Sequence, residues 1–314
     1  MRFILKKIAS TVFTLLAVSL VLFISFDLIS GDVATRLIGT SATPERLAEA
    51  RAQLGLDQPI AVQYLRWLSD FVTGDWGVSY IYKQPVSELL AAKLPVTLSL
   101  ALLSFVLMCL IALPMGIFTG KHAGSRLDRV LLVVNQVIMA IPSFLSGILI
   151  SWLFGMVLHL FSPGGFVSPT QDLAGFLAYL AFPAIAIALP RAAQTAKLLR
   201  GSILEEAGKN YTRTAYSRGN DTNGVLFGHV LKNAFLPVIT FLGMSLANLL
   251  AGSLVVERVF NIPGISNTLL TSIGNRDYPV VLAIVMWIAI VIIVVNLLVD
   301  ISYRVLDPRI GEED

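Results

Sequence analysis

Six apolar runs, each near the length needed to cross a bilayer, constrain this chain more than any other feature. They cover residues 8–29, 96–119, 130–161, 175–189, 234–256 and 280–302. A hydrocarbon core about 30 Å thick takes about 20 helical residues. Backbone in lipid must satisfy its own hydrogen bonds, so a chain with several such runs folds as an all-α membrane protein. Composition agrees: 56% hydrophobic and 14% charged over 314 residues is too apolar for a soluble domain. The third run is longer than a span needs and holds Pro142, which predicts a kink or tilt. Pro183 and Pro190 interrupt the fourth, whose inner end can continue helically through Leu198.

Lysine and arginine set the orientation. Arg2, Lys6 and Lys7 precede the first run, and Lys121, Arg126 and Arg129 follow the second. Arg191, Lys197, Arg200, Lys209, Arg213, Arg218 and Lys232 lie between the fourth and fifth, and Arg304 and Arg309 follow the sixth. These alternate segments share one side, so both termini are expected in the cytoplasm. The apolar run at the start is too long for a signal-peptide core and lacks an A-x-A exit, which predicts an uncleaved first span. The resulting division is 1–29, inner terminus and first span; 30–95, an extracytoplasmic segment; 96–303, a five-span core with an inner loop at 199–233; and 304–314, an inner tail.

The outer segment reads as short amphipathic helices. Thr43-Pro44-Glu45 is an N-cap, a first-turn proline and an acid, and Gly55 can end the helix that carries Leu47, Ala50 and Leu54. A second helix is expected from near Pro59, with Ile60, Tyr64, Trp67, Leu68 and Phe71 on one face, and a third from Pro85 to before Pro95. They either lie on the membrane surface or cap the outer mouth of a passage. Small residues recur in the fourth and fifth runs (Ala184, Ala186, Ala188, Ala192, Ala193 and Ala196; Thr240, Gly243, Ala247 and Ala251), which suits close helix packing or the lining of a passage.

Catalytic chemistry is not indicated. His122, His159 and His229 are scattered, no cluster has metal-ligand spacing, and no nucleophile–base pair stands out. The chain is therefore expected to bind neither a metal nor a cofactor. Gly116 to Lys121 falls one residue short of a phosphate-binding loop and reads as a span end. Cys109 is alone, so no disulfide framework exists. A net charge of +3 implies no nucleic-acid partner. The polar residues within the runs are Asn135, Gln136, Asn248 and Asn296, with Asp27 and Asp300 near their ends. The lack of a central ionisable residue argues against a proton-coupled peptide or metal carrier, the alternative reading.

The inner loop is unusual. A helix can run from Lys209 to Arg218, with Tyr211, Ala215 and Arg218 on one face and Gly219 permitting a left-handed turn. Such a slim basic helix can seat in a groove on a soluble partner or simply face lipid headgroups. The run Tyr211-Thr212-Arg213-Thr214-Ala215-Tyr216-Ser217-Arg218-Gly219, with His229, Asn233-Ala234 and Pro237, resembles the coupling loop of ABC-importer membrane subunits, best the peptide/nickel permease family. Further matching runs are Leu54-Gly55-Leu56-Asp57-Gln58-Pro59, Gln63-Tyr64, Trp67-Leu68, Gly74-Asp75-Trp76-Gly77 with Ser79, and Leu94-Pro95-Val96-Thr97-Leu98. Glu257, Phe260, Pro263-Gly264, Arg276-Asp277-Tyr278-Pro279, Asn296, Asp300 and Asp307-Pro308-Arg309 complete the match. The general importer signature starts Glu-Ala-Ala where this chain has Arg213, Thr214 and Ala215, and Tyr216-Ser217 stand where Arg-Ala is common in the peptide/nickel branch.

The resemblance implies a six-helix type I importer permease. Its partners would be a second, related permease subunit, two ATP-binding subunits and an extracytoplasmic solute-binding protein. It also implies that Tyr211, Thr214, Ala215, Arg218 and Gly219 couple the permease to the ATPase. Peptides rank first as cargo and nickel or a metal chelate second.

Overall fold

The computed structural model describes residues 2–30, 43–162 and 164–306. The side chains of Asp27, Ala50, Leu54, Ala251, Asp300 and Arg304, and the tail from Asp307 with Pro308 and Arg309, lie outside the described residues. The described chain is helical, with one isolated antiparallel bridge between Val78 and Pro85. Among the described residues, five helices are long and apolar enough to cross a membrane, or six if one bent pair counts as a span. Contacts divide the chain into two compact units, residues 1–95 with 267–294 and residues 96–266 with 295–314.

The first unit contains α1 (Arg2–Ser30), α2 (Pro44–Leu54) and α3 (Ile60–Thr73). Thr43 stands at the N-cap position of α2, but its side chain makes no capping hydrogen bond; Gly55 ends the helix at φ +68°, as expected. Along α3, Tyr64, Trp67, Leu68 and Phe71 are half-buried, whereas Ile60 and Arg66 are exposed. The Tyr64 hydroxyl lies 2.8 Å from the Ser19 hydroxyl of α1, and Phe23 of α1 meets Tyr64 edge-on. Aromatic contacts continue through Trp67, Phe71 and Trp76 to Trp287.

Two sequence runs far apart in the chain meet in this unit. The Asp277 carboxylate is fully buried and accepts hydrogen bonds from the Ser79 hydroxyl, the Tyr80 N–H (3.0 Å) and the Ile81 N–H (3.2 Å). A buried carboxylate is tolerated when several donors surround it. Here the donors come from the turn that follows Gly74-Asp75-Trp76-Gly77, which pins that turn against the start of α11 (Tyr278–Leu306).

α4 (Val86–Lys121) is continuous, so the expected end before Pro95 is not observed. Both Pro95 and Pro114 sit inside it; a long membrane helix accommodates proline because neighbours re-satisfy the freed carbonyls. The boundary between the units falls at Pro95–Val96.

In the second unit, α7 (Leu173–Ala207) is central and packs against α5 (Arg126–Ala140), α6 (Ser143–Ile150) and α10 (Leu231–Val259). All six alanines of the α7 stripe are buried, so those positions serve close packing. The Gly116–Gly120 pair serves the same end. A Cβ on Gly116 would stand 2.9 Å from the Leu199 Cβ, and one on Gly120 would stand 3.0 Å from Ile203. This is small-xxx-small packing between α4 and α7.

The third run is not one gently kinked span. α5 and α6 diverge by 101° at Ile141–Pro142, and α6 continues as a π-helical turn over Ser151–Val157. Proline lacks an N–H and disfavours helix in the residue before it, which accounts for the break. The fourth run continues helically past Leu198, as expected: α7 passes through Pro183 and Pro190, carries Arg191 within the helix and ends at Ala207.

Candidate functional site

The inner loop folds into α8 (Asn210–Ser217), α9 (Thr222–Val225), a π-helical turn (Leu226–Val230) and the start of α10. Gly208 ends α7, and Lys209 is extended, which turns the chain. Gly219 follows α8 at φ +85°, the left-handed conformation expected of it. Asn220 closes the end of α8 by donating its side-chain N–H to the Ala215 carbonyl (3.0 Å). Asp221 then caps α9 by accepting the Gly224 N–H at 2.8 Å.

α8 is fastened to both flanking spans. The Tyr211 hydroxyl donates to Glu206 on α7 (2.7 Å) and accepts from Asn233 on α10 (3.2 Å). Thr212 is buried and its hydroxyl donates to the Ala207 (2.9 Å) and Lys209 (2.6 Å) carbonyls, satisfying a carbonyl at the α7 end. Lys209 also pairs with Glu206. Burial acts to raise the Glu206 pKa, but hydrogen bonds from Lys209 and Tyr211 outweigh it and hold the carboxyl below its ordinary range. Beneath the helix, Ala215 packs into an apolar cluster with Leu199, Ile203, Val225, Leu226 and Val230. These contacts leave α8 little freedom to move apart from α7 and α10.

The five expected coupling residues gather around one feature. Tyr211, Thr214, Ala215 and Arg218, with Asn220 and His229, line a groove of about 460 Å³. Gly219 forms the turn next to it. The residues differ in exposure: Ala215 is buried and Tyr211 half-buried, whereas Thr214, Arg218 and Gly219 are exposed. Arg213, Tyr216 and Ser217 are exposed as well. Sequence reasoning missed Glu206 and Asn220 and named Asn233 only as part of the resemblance, yet all three anchor the helix. Glu206 lies five residues before Tyr211 across a chain reversal, so helical spacing could not connect the two.

A second fastening lies nearby. Arg200 on α7 grips Asp128 on α5 through Nε (3.1 Å) and Nη2 (2.9 Å), and the Gly124 N–H donates to the same carboxylate (2.8 Å). The Arg200 hydrogen bonds are the main reason the Asp128 carboxyl sits below its ordinary pKa. The second unit thus offers a helix outside the spans, tied rigidly to them and exposing a basic face. Such an element can pass a displacement to the spans as a rigid body.

Known proteins bear on this geometry. Residues 112–312 match the family model "Binding-protein-dependent transport system inner membrane component", and residues 1–101 match the N-terminal model of the same membrane components. The chain is 33% identical over 308 residues to the probable peptide ABC transporter permease protein y4tP of Sinorhizobium fredii, covering 98% of each. It is 33% identical over 311 residues to the oligopeptide transport system permease protein AppB of Bacillus subtilis, covering 98% of each. Against the glutathione transport system permease protein GsiC of Salmonella paratyphi A, identity is 33% over 310 residues and coverage is 99% of each. A helical membrane core, an inner helix clamped between two spans and matches along nearly the whole length together place the chain in the family of inner-membrane components of binding-protein-dependent transport systems.

Proposed function

We propose that this ABC-importer permease subunit carries small peptides inward. The cargo is delivered by an extracytoplasmic binding protein, and separate ATP-binding subunits drive the passage by seating on α8. The observation that carries the reading is the double attachment of α8, through Tyr211 to Glu206 on α7 and to Asn233 on α10. Force applied to α8 moves both spans. Thr214, Arg218 and Gly219 meet the ATPase directly. Tyr211 and Ala215 form the base of the groove and fix its shape. The chain itself is non-catalytic, both termini are cytoplasmic, and a second, related permease completes the passage. Peptide cargo is supported by relatives named for peptide, oligopeptide and glutathione transport.

Reconstitution in proteoliposomes tests this. The full complex should take up tri-alanine only with ATP inside and loaded binding protein outside. Uptake by the chain alone, driven by a proton gradient, would sink the proposal.

A further inference from the structure

Among the described residues Arg191 has no counter-ion. It lies midway along α7, is half-buried, and its Nη1 donates to the Gln194 side-chain oxygen (3.2 Å). No carboxylate pairs with it among the described residues. It stands nine residues outward from Arg200, about 13 Å along the helix axis at 1.5 Å per residue. Arg200 and its partner Asp128 mark the inner end of α5, so Arg191 is at membrane depth. An ionisable group there is expensive unless it faces a polar cavity, and it marks a functional site by default.

Such a cavity is present. A space of about 330 Å³ is bounded by Arg191, Gln194 and Asn248 and by the Ile141-Pro142-Ser143 break. The break places irregular backbone at the same depth. The last carbonyls of α5 lack helical partners, except that Ile138 accepts the Ile141 N–H, and α6 starts without a side-chain cap. Open helix ends at membrane depth are tolerated where they line a polar cavity. The uncapped start of α6 adds positive potential to that of Arg191. A second space of about 650 Å³ shares Met139 and Gln194 with the first and continues along α7 past Lys197 and Gly201 to Glu205. The two form a route along one face of α7 that is most polar beside Arg191.

We propose that Arg191, with Gln194 and Asn248, is an anion-receiving station in this route and takes the C-terminal carboxylate of a peptide cargo. The assignment rests on the peptide reading above. A guanidinium offers two parallel donors that match a carboxylate, and the neighbouring amides can bond the last peptide unit. A bare divalent metal ion would be repelled by the same charge, so the station favours peptide over metal.

The test uses the full complex in proteoliposomes, with binding protein preloaded to saturation with tri-alanine or with tri-alanine amide. Arg191→Gln should lower tri-alanine uptake per ATP hydrolysed by about tenfold, the factor carried by one lost charge-assisted hydrogen bond. Amide uptake should stay within about twofold of the unsubstituted complex, on the same reasoning. Arg191→Lys should restore most tri-alanine uptake, and ATP hydrolysis stimulated by loaded binding protein should be unchanged. Equal loss for both cargoes, or loss of complex assembly, would assign Arg191 to structure or to an acid on the partner permease and overturn the proposal. So would no change for either. In a second measurement on the unsubstituted complex, tri-alanine with a photo-reactive C-terminal residue should crosslink within residues 139–143, 187–194 or 248–249. Crosslinks confined elsewhere in the second unit also refute the station. A complex that moves neither cargo overturns the peptide reading itself, whereas one that moves tri-alanine without regard to Arg191 overturns the station alone.

Discussion

Removing Arg200 should destabilise the permease more than removing Asp128, although each change breaks the same ion pair. The Asp128 side chain is 1% exposed and that of Arg200 is 20% exposed. Arg200→Met leaves a buried carboxylate with only the Gly124 N–H as a strong donor. Truncating one partner of a buried pair costs about 3–5 kcal/mol, and this variant should lie near the lower bound. Asp128→Asn leaves a guanidinium that water already reaches, so its cost should fall to about 2 kcal/mol, within the range for hydrogen bonds to charged groups. The double variant removes both charges and should recover at least about 1 kcal/mol of the summed penalties, the coupling expected of residues in direct contact.

The assay is SDS-titration unfolding of the purified permease in mixed micelles, followed by tryptophan fluorescence. The pH dependence provides a sign check. Because the Asp128 pKa is lowered in the folded state, its stabilising contribution is complete above the ordinary carboxylate pKa of about 3.9. It disappears only as the pH falls through the lower folded value. The Asp128→Asn penalty should therefore be constant between about pH 5 and 8, above that window. An Asp128 penalty larger than the Arg200 penalty, or single and double variants that simply add, would refute the reasoning.

Other outcomes follow from the same contacts. Gly219→Val must place a β-branched residue at φ +85° and should abolish ATP-driven uptake while the protein still inserts, as read by uptake and membrane-fraction blots. Tyr211→Phe removes the bond to Glu206 and the acceptor for Asn233, at about 1–2 kcal/mol, and should weaken the stimulation of ATP hydrolysis by loaded binding protein. Gly116→Val pushes a Cβ into Leu199 and should cost about 1–3 kcal/mol in SDS-titration unfolding, as overpacking does. Asp277→Ala leaves the Tyr80 and Ile81 N–H groups without their acceptor and should raise tryptic cleavage after Lys83 in right-side-out vesicles.

Much of the fold was legible because bilayer physics writes itself into composition. Apolar length marked the spans, Gly55 marked a helix end, and Gly219 marked its turn. What escaped depended on tertiary context. Pro95 was read as a stop, yet α4 continues through it. Pro142 predicted a kink, but nothing local fixed a 101° bend. The coupling residues were visible as a pattern, whereas their anchors were not, since Glu206 and Asn233 meet Tyr211 only after α7 and α10 have packed together. The pairing of Ser79 with Asp277 spans 198 positions and leaves no trace in any periodicity.

Arg191 shows how one sound rule can hide another. Positive-inside counting grouped it with the basic residues between the fourth and fifth runs, although the helix was expected to continue through Leu198. That grouping left Arg191 out of the polar residues counted within the runs. With α7 intact through Pro190, the same arginine lies about 13 Å outward of the Asp128–Arg200 clamp. The clamp satisfies its charges in full, whereas Arg191 holds only a neutral amide. A helix that pairs one arginine and leaves the next unpaired, about two and a half turns away and beside a broken span, separates structure from transport along its own length. Arg200 holds α7 to α5 near the coupling helix, and Arg191 stays open for cargo.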